Sequence, residues 1–240
     1  QGKNAFHPEV RLMDLSRPVM TIPSLAIHMN RKVNEGVELN PQKDMLPLLT
    51  MTEDEEGQAD FFSALLAEEL SCAKEEILSY ELTVYPAEQG CLLGSRQEFI
   101  SSPRIDNLTS VKACLSGLFR GDSQEGLHVA ALFDNEEVGS RTKQGAGSLV
   151  LPMLLERIYL ALGLTRADYL QDIAGGFMLS ADVAHAIHPN VPEKNDITNK
   201  PVLNGGVVLK LAASQAYAGD AEAAAIVTAL CRQAEIPHQY

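Results

Sequence analysis

The stretch Leu127-His-Val-Ala-Ala-Leu-Phe-Asp-Asn-Glu-Glu-Val-Gly-Ser140 constrains the fold more than any other part of the chain. Val129 to Phe133 is apolar without alternation, the pattern of a strand buried on both faces of a parallel sheet. Asp134, Glu136 and Glu137 follow at its C-terminal end, where open α/β sheets bind ligands. Ionised carboxylates resist desolvation unless something positive holds them, and a metal ion would serve. Acid pairs after strands are more often solvated loop residues, and this stretch by itself leaves both readings open.

Two other stretches place an acid at a strand-loop-helix junction: Pro103-Arg-Ile-Asp-Asn-Leu108, and Met178-Leu-Ser-Ala-Asp-Val-Ala-His-Ala-Ile-His-Pro-Asn190. Asp106 stands before the periodic run Leu108, Val111, Leu115 and Leu118, which predicts a helix ending at Gly121. Asp106 could simply cap that helix and complement its dipole. Phe177 to Ala181 reads as a strand delivering Asp182, with His185 and His188 in the loop beyond.

The remaining elements follow from local signals. Residues 1 to about 20 read as an arm, and Lys32 to Gln58 as loop, including the solvated acid run Glu53-Asp-Glu-Glu56. Ala59 to Leu70 is helical with Phe62, Leu65, Leu66 and Leu70 on one face. Tyr80 to Tyr85 alternates as a half-buried strand, and a further strand spans Arg96 to Ser101. Gly145-Ala-Gly-Ser148 lets the backbone pass close to the site and leads into a helix from Leu149 to Leu162, with Pro152 near its start. A shorter helix covers Arg166 to Asp172. Gly205 to Ala212 is a strand interrupted by Lys210, and Asp220 caps a helix with Ala223, Ile226, Val227, Leu230 and Ala234 facing inward. This order of strands and helices argues for a three-layer α/β domain.

Composition narrows the function. The formal charge is -13, from 19 basic and 32 acidic residues, so nucleic acid and anionic membrane are disfavoured as partners. Cys72, Cys91, Cys114 and Cys231 show no paired short spacing, against both a zinc ribbon and a disulfide scaffold. No apolar run approaches the roughly 20 residues that span a bilayer, and a cytoplasmic location is the expectation.

Together these motifs resemble the aspartyl aminopeptidase family, dinuclear zinc exopeptidases with a dimerisation domain inserted in the catalytic domain. The resemblance runs over essentially the whole chain. It includes Arg17-Pro18 and Ile22-Pro-Ser-Leu-Ala-Ile-His-Met-Asn-Arg31, followed in the family's order by the Arg-x-Asp-Asn-Leu, Asp-Asn-Glu-Glu-Val-Gly-Ser and Ser-Ala-Asp-x-Ala-His-Ala-x-His-Pro-Asn motifs. It implies an α/β fold, with a partial three-layer zinc-exopeptidase-like catalytic domain over 96–240 and an inserted, β-rich α+β dimerisation domain over 1–95.

The resemblance also assigns roles. Asp106 bridges two divalent ions, zinc in the family with cobalt or manganese as alternatives, while Glu137 and Asp182 are metal ligands and Glu136 is the catalytic base. His28 reaches a neighbouring subunit's site, His188 contacts substrate, and Lys210 reads an acidic substrate side chain. The family's two histidine ligands have no counterpart here, which leads to the expectation of an internal fragment, itself inactive. His185 and His188 could be replacements, but Pro189 and Asn190 favour a loop; His185 and His128 read as structural. The implied activity is release of N-terminal Asp or Glu from peptides, with self-association as dimers building a dodecamer. A related dinuclear deacylase, an aminopeptidase of broader specificity and a non-catalytic assembly module are the alternatives.

Overall fold

Helices dominate the observed structure, because their start and stop signals are local. A computed structural model describes residues 5–53, 55–123, 125–214 and 216–240. The chain divides into two units, Gln1–Leu92 and Leu93–Tyr240.

In the first unit, α1 (Pro41–Asp44) is capped by Asn40, whose side chain accepts from the N–H groups of Gln42 and Lys43. The helix α2 (Glu55–Leu70) starts earlier than its apolar face suggests and takes in part of the acid run read as loop; Asp54 lies outside the described residues. Leu66 of α2 is buried, while Phe62 is exposed. The amino-terminal arm is tied down: Arg11 donates to the carbonyl of Leu70 (3.2 Å), Arg17 to the carboxylate of Glu69 (2.8 Å), and the Tyr85 hydroxyl to Asp14 (2.5 Å). The strand expected over Tyr80 to Tyr85 forms no ladder among the described residues, and Tyr80, Leu82 and Val84 are all exposed. Alternation describes what a strand could bury, but a ladder needs a partner to bury it against.

β1 (Cys91–Leu93) and β2 (Phe99–Ser101) pair as a two-stranded sheet; β2 is shorter than expected because Ser95 to Gln97 form the turn.

In the second unit, α3 (Ile105–Arg120) ends at Gly121, as its periodicity predicts. α4 (Val150–Ala161) carries Pro152 in its first turn and stops before Gly163, whose φ of 80° is the left-handed conformation that glycine adopts cheaply. α5 (Arg166–Gly175) opens on a capping box of Thr165 and Asp168 and packs on α4, with Tyr159 and Tyr169 edge to face at 5.5 Å. The Tyr159 hydroxyl donates to Asp172 at 2.9 Å, and that bond raises its pKa. β3 (Val207–Val208) pairs in parallel with β4 (His238–Gln239), Val207 opposite His238. Between them runs α6 (Ala221–Gln233), capped by Asp220, which accepts the Ala223 N–H at 2.8 Å. The buried residue of α6 is Cys231; Ile226, Leu230 and Ala234 are exposed, so the inward face is rotated from the one expected.

Val129 to Phe133, expected as a buried strand of a parallel sheet, and Phe177 to Ala181, expected as a strand delivering Asp182, form no ladder among the described residues. Val129, Leu132 and Phe133 are 50%, 48% and 37% exposed. Among the described residues the architecture is a mixed α/β arrangement of helices with two small sheets, and the three-layer sandwich is not laid out in them. Among the described residues only Leu66, Tyr159, Tyr169, Leu209 and Cys231 are buried apolar residues. The chain exposes 20982 Å², against about 13,000 Å² for two independent globules of the same combined mass.

Candidate functional site

Asp106 sits where α3 is irregular. Asp106 (φ -78°, ψ 113°) and Asn107 (φ -120°, ψ 31°) are non-helical, and their shared peptide bond is cis. The residue in the cap position is Arg104, which makes no side-chain capping bond. Asp106 is exposed, and among the described residues no hydrogen bond or ion pair reaches its carboxylate. The capping role open to it in the sequence is not the one it performs.

Asn107 joins two of the three acid-bearing stretches. Its Nδ2 donates to the carbonyl of Ala181 at 2.9 Å across 74 residues, linking the residue after Asp106 to the residue before Asp182. Its Oδ1 is buried without a partner. The motif containing Asn107 was legible, but its tethering role was not, since nothing local shows which distant carbonyl an amide will find.

Asp182 is engaged through both oxygens. Oδ1 accepts the N–H of Val183 at 2.7 Å, and Oδ2 accepts from Lys210 Nζ at 2.5 Å. The Lys210 hydrogen bond, first, and the Val183 N–H hold its pKa below the usual aspartate value against a smaller desolvation cost. Lys210 directly follows Leu209, which is buried and donates its N–H to the Gln239 carbonyl at 2.9 Å.

Glu136 and Glu137 occupy an exposed turn. Asn135 enters it with a φ of 62°, and the Gly139 N–H closes on the Glu136 carbonyl at 2.8 Å. The Asn135 side-chain oxygen is buried without a partner. Gly145 and Gly147 are required because the chain doubles back: a Cβ at Gly145 would meet the Ser140 carbonyl oxygen at 2.5 Å, and one at Gly147 at 2.9 Å. These glycines serve close approach to Ser140.

His188 accepts the Asn190 N–H through Nδ1 at 3.2 Å, which leaves Nε2 as the nitrogen able to donate outward. His28, in the first unit, lies in an exposed turn closed by the Met29 N–H on the Ala26 carbonyl at 2.9 Å.

The structure thus joins the backbones beside Asp106 and Asp182 and pairs Asp182 with Lys210. Among the described residues no three His, Cys, Asp or Glu side chains are grouped so as to hold a metal ion. The candidate ligands are all carboxylates, a hard-oxygen set that suits magnesium or manganese as well as zinc, and zinc normally takes nitrogen or sulfur too. These residues therefore do not fit a complete zinc site by themselves. No helix among the described residues is long and apolar enough to cross a membrane, and the four cysteines are free.

Residues 3–240 match the family described as Aminopeptidase I zinc metalloprotease (M18). A probable M18 family aminopeptidase 2 of Clostridium novyi is 44% identical over 239 residues, which are 100% of this chain and 55% of that protein. Aspartyl aminopeptidase 4 of Saccharomyces cerevisiae is 36% identical over 264 residues, 95% of this chain and 54% of the relative. Among solved structures, one chain in the cryo-EM structure of the Ape4 and Nbr1 complex superposes with a TM-score of 0.77 at 31% identity, covering 93% of this chain and 47% of that one. The chain therefore spans about half the length of the curated relatives it matches.

Proposed function

The chain belongs to the Aminopeptidase I zinc metalloprotease (M18) family, and from that premise we propose that the whole protein hydrolyses N-terminal residues, Asp or Glu by preference, from peptides at a pair of divalent metal ions. The observation that carries the reading is the Asn107 to Ala181 hydrogen bond, 2.9 Å long. It fastens together the backbones bearing Asp106 and Asp182, and neither carboxylate is occupied in capping a helix.

In this reading Asp106, Glu137 and Asp182 are the residues that would hold the two ions. The ions would be zinc by family, with cobalt or manganese as alternatives. Bound ions of this kind acidify water and polarise a carbonyl. Glu136 takes the proton of the attacking water and passes it to the departing amine. The two glutamates divide these roles because adjacent side chains leave a tight turn in different directions. The Nε2–H of His188 faces the substrate, His28 contributes to the site of a neighbouring subunit, and Lys210 reads the acidic side chain of the substrate. The preference for acidic residues draws support from the yeast relative's name, aspartyl aminopeptidase 4.

The catalytic domain in this reading is a three-layer zinc-exopeptidase-like fold over 96–240, with residues 1–95 as the inserted dimerisation domain. Self-association as dimers building a dodecamer is supported by exposed apolar side chains, including Val10, Leu12 and Met51 in the first unit. The unpaired cysteines suit a reducing, cytoplasmic setting.

The test is Glu136→Gln in the whole protein. Hydrolysis of aspartyl and glutamyl substrates should fall by at least about a hundredfold with metal content unchanged. Turnover retained at full metal content would remove Glu136 as the base.

A further inference from the structure

The side-chain amide of Gln239 reaches across 37 residues to the main chain of Val202. Its Oε1 accepts the Val202 N–H at 2.8 Å and its Nε2 donates to the Val202 carbonyl at 3.2 Å, the exchange of bonds that a neighbouring β residue would make. We infer that Gln239 is a positioning residue for substrate binding: its amide clamps the Pro201–Val202 peptide, and through that peptide it holds His188 in register with Lys210. This inference rests on the reading of His188 as a substrate contact.

One planar unit carries the effect. The Pro201 carbonyl and the Val202 N–H belong to the same peptide, which is rigid. Its oxygen accepts the Ile187 N–H at 2.7 Å, closing the neck of a loop over residues 188–200, and its N–H is taken by Gln239. A peptide bonded on both sides is polarised, and each bond strengthens the other. His188 follows Ile187 directly. Within the loop its Nδ1 accepts the Asn190 N–H at 3.2 Å, and its own main-chain N–H donates to Asn195 Oδ1 at 3.4 Å. The imidazole is thus fixed relative to Ile187, and Ile187 relative to Gln239.

The main chain of Gln239 serves Lys210. Its carbonyl accepts the Leu209 N–H at 2.9 Å, and the parallel pairing of Val208 with Gln239 sets the register of the strand from which Lys210 follows. Room for the amide is built into the sequence: a Cβ on Gly205 would overlap all three terminal atoms of the Gln239 side chain. The turn after Val202 therefore omits a side chain where the amide lies. Gln239 gives His188 and Lys210 a common support.

The experiment compares the whole protein with its Gln239→Met, Gly205→Ala and His188→Ala variants and with each of the first two combined with His188→Ala. Gln239→Met keeps the length of the side chain and removes both bonds. Gly205→Ala displaces the amide without deleting it, and carries the test should the methionine variant misfold. Hydrogen–deuterium exchange read by mass spectrometry should quicken about tenfold in peptides spanning 187–203 for both variants. It should keep the wild-type rate at Val207 and Leu209, whose N–H groups are held by main-chain carbonyls. With the aminoacyl substrate that the protein cleaves fastest, KM should rise about fivefold in both variants while kcat stays within about twofold. Neither change should add to the effect of His188→Ala. Exchange unchanged over 187–203 overturns the positioning role, as does a KM effect that persists in full beside His188→Ala. If His188→Ala leaves KM at the wild-type value, His188 is no substrate contact, and that reading falls and takes the inference with it. If His188→Ala raises KM while neither Gln239→Met nor Gly205→Ala does, only the inference fails.

Discussion

Replacing Asn107 separates the tether from a generic loss of packing. The native amide donates to the Ala181 carbonyl at 2.9 Å while its own oxygen is buried without a partner. The net gain from such a hydrogen bond is about 1 kcal/mol, and a buried acceptor left unsatisfied costs about 1–3 kcal/mol. Asn107→Ala removes both terms, so its stability should stay within about 1 kcal/mol of wild type. Asn107→Asp keeps the shape but exchanges the donor for a carboxylate oxygen facing the Ala181 carbonyl. It loses the bond and adds repulsion between acceptors, for a combined cost of about 2–3 kcal/mol at neutral pH. With a urea slope of about 2 kcal/mol per molar, the Asp variant should unfold about 1 M earlier than wild type, and the Ala variant within about 0.5 M of it. Urea titration followed by circular dichroism reads the difference. An Asp variant as stable as the Ala variant would show that the amide is not donating to Ala181 and would break the link between the backbones of Asp106 and Asp182.

Three further outcomes follow from the same contacts. Asp220→Ala deletes the acceptor for the Ala223 N–H and should cost about 1 kcal/mol, seen as earlier thermal loss of helical signal, with Asp220→Asn restoring most of it. Gly145→Ala would drive a Cβ to 2.5 Å from the Ser140 carbonyl oxygen. It should open the 134–148 loop to limited proteolysis at a cost of about 1–3 kcal/mol, whereas Gly163→Ala should cost less because open space surrounds that position and only its left-handed backbone resists. Asp182, Asp168 and Asp196 all have lowered pKa values, held down respectively by Lys210, by Thr165, and by the N–H groups of Asn199 and Thr198. A carboxyl lowered on folding contributes stability that is present above its unfolded value, about 3.9, and lost as pH falls through the folded value. Urea midpoints should therefore decline below about pH 4, and Lys210→Met should flatten part of that decline.

What could be read from the chain divides according to the range of the interactions. Caps and stops act within four residues, so Asp220 before α6, Gly121 after α3, Pro152 in the first turn of α4 and Gly163 at its end were all legible. α5 ran three residues past its expected end because Ile173 and Ala174 continue it up to Gly175. Strands depend on a distant partner. Val129 to Phe133 has the composition of a buried strand yet forms no ladder here, and Gly205 to Ala212 contributes only Val207 and Val208. The face of α6 was misjudged because Cys231 packs inward more deeply than Leu230, a choice made by its neighbours. In the candidate site, the acids were conspicuous as acids. The pairing of Asp182 with Lys210 was not foreseen, although an acid after one expected strand and a base within another were a signal that could have suggested it.

The central claim is that carboxylates remote in the chain converge to hold paired metal ions in the whole protein. Anomalous diffraction at the zinc edge from crystals of that protein tests it most directly. The account predicts two peaks, with oxygens of Asp106 near both and an Asp182 oxygen about 2.0–2.2 Å from one of them. Two fully occupied peaks with Asp106 and Asp182 both outside coordination distance would contradict it.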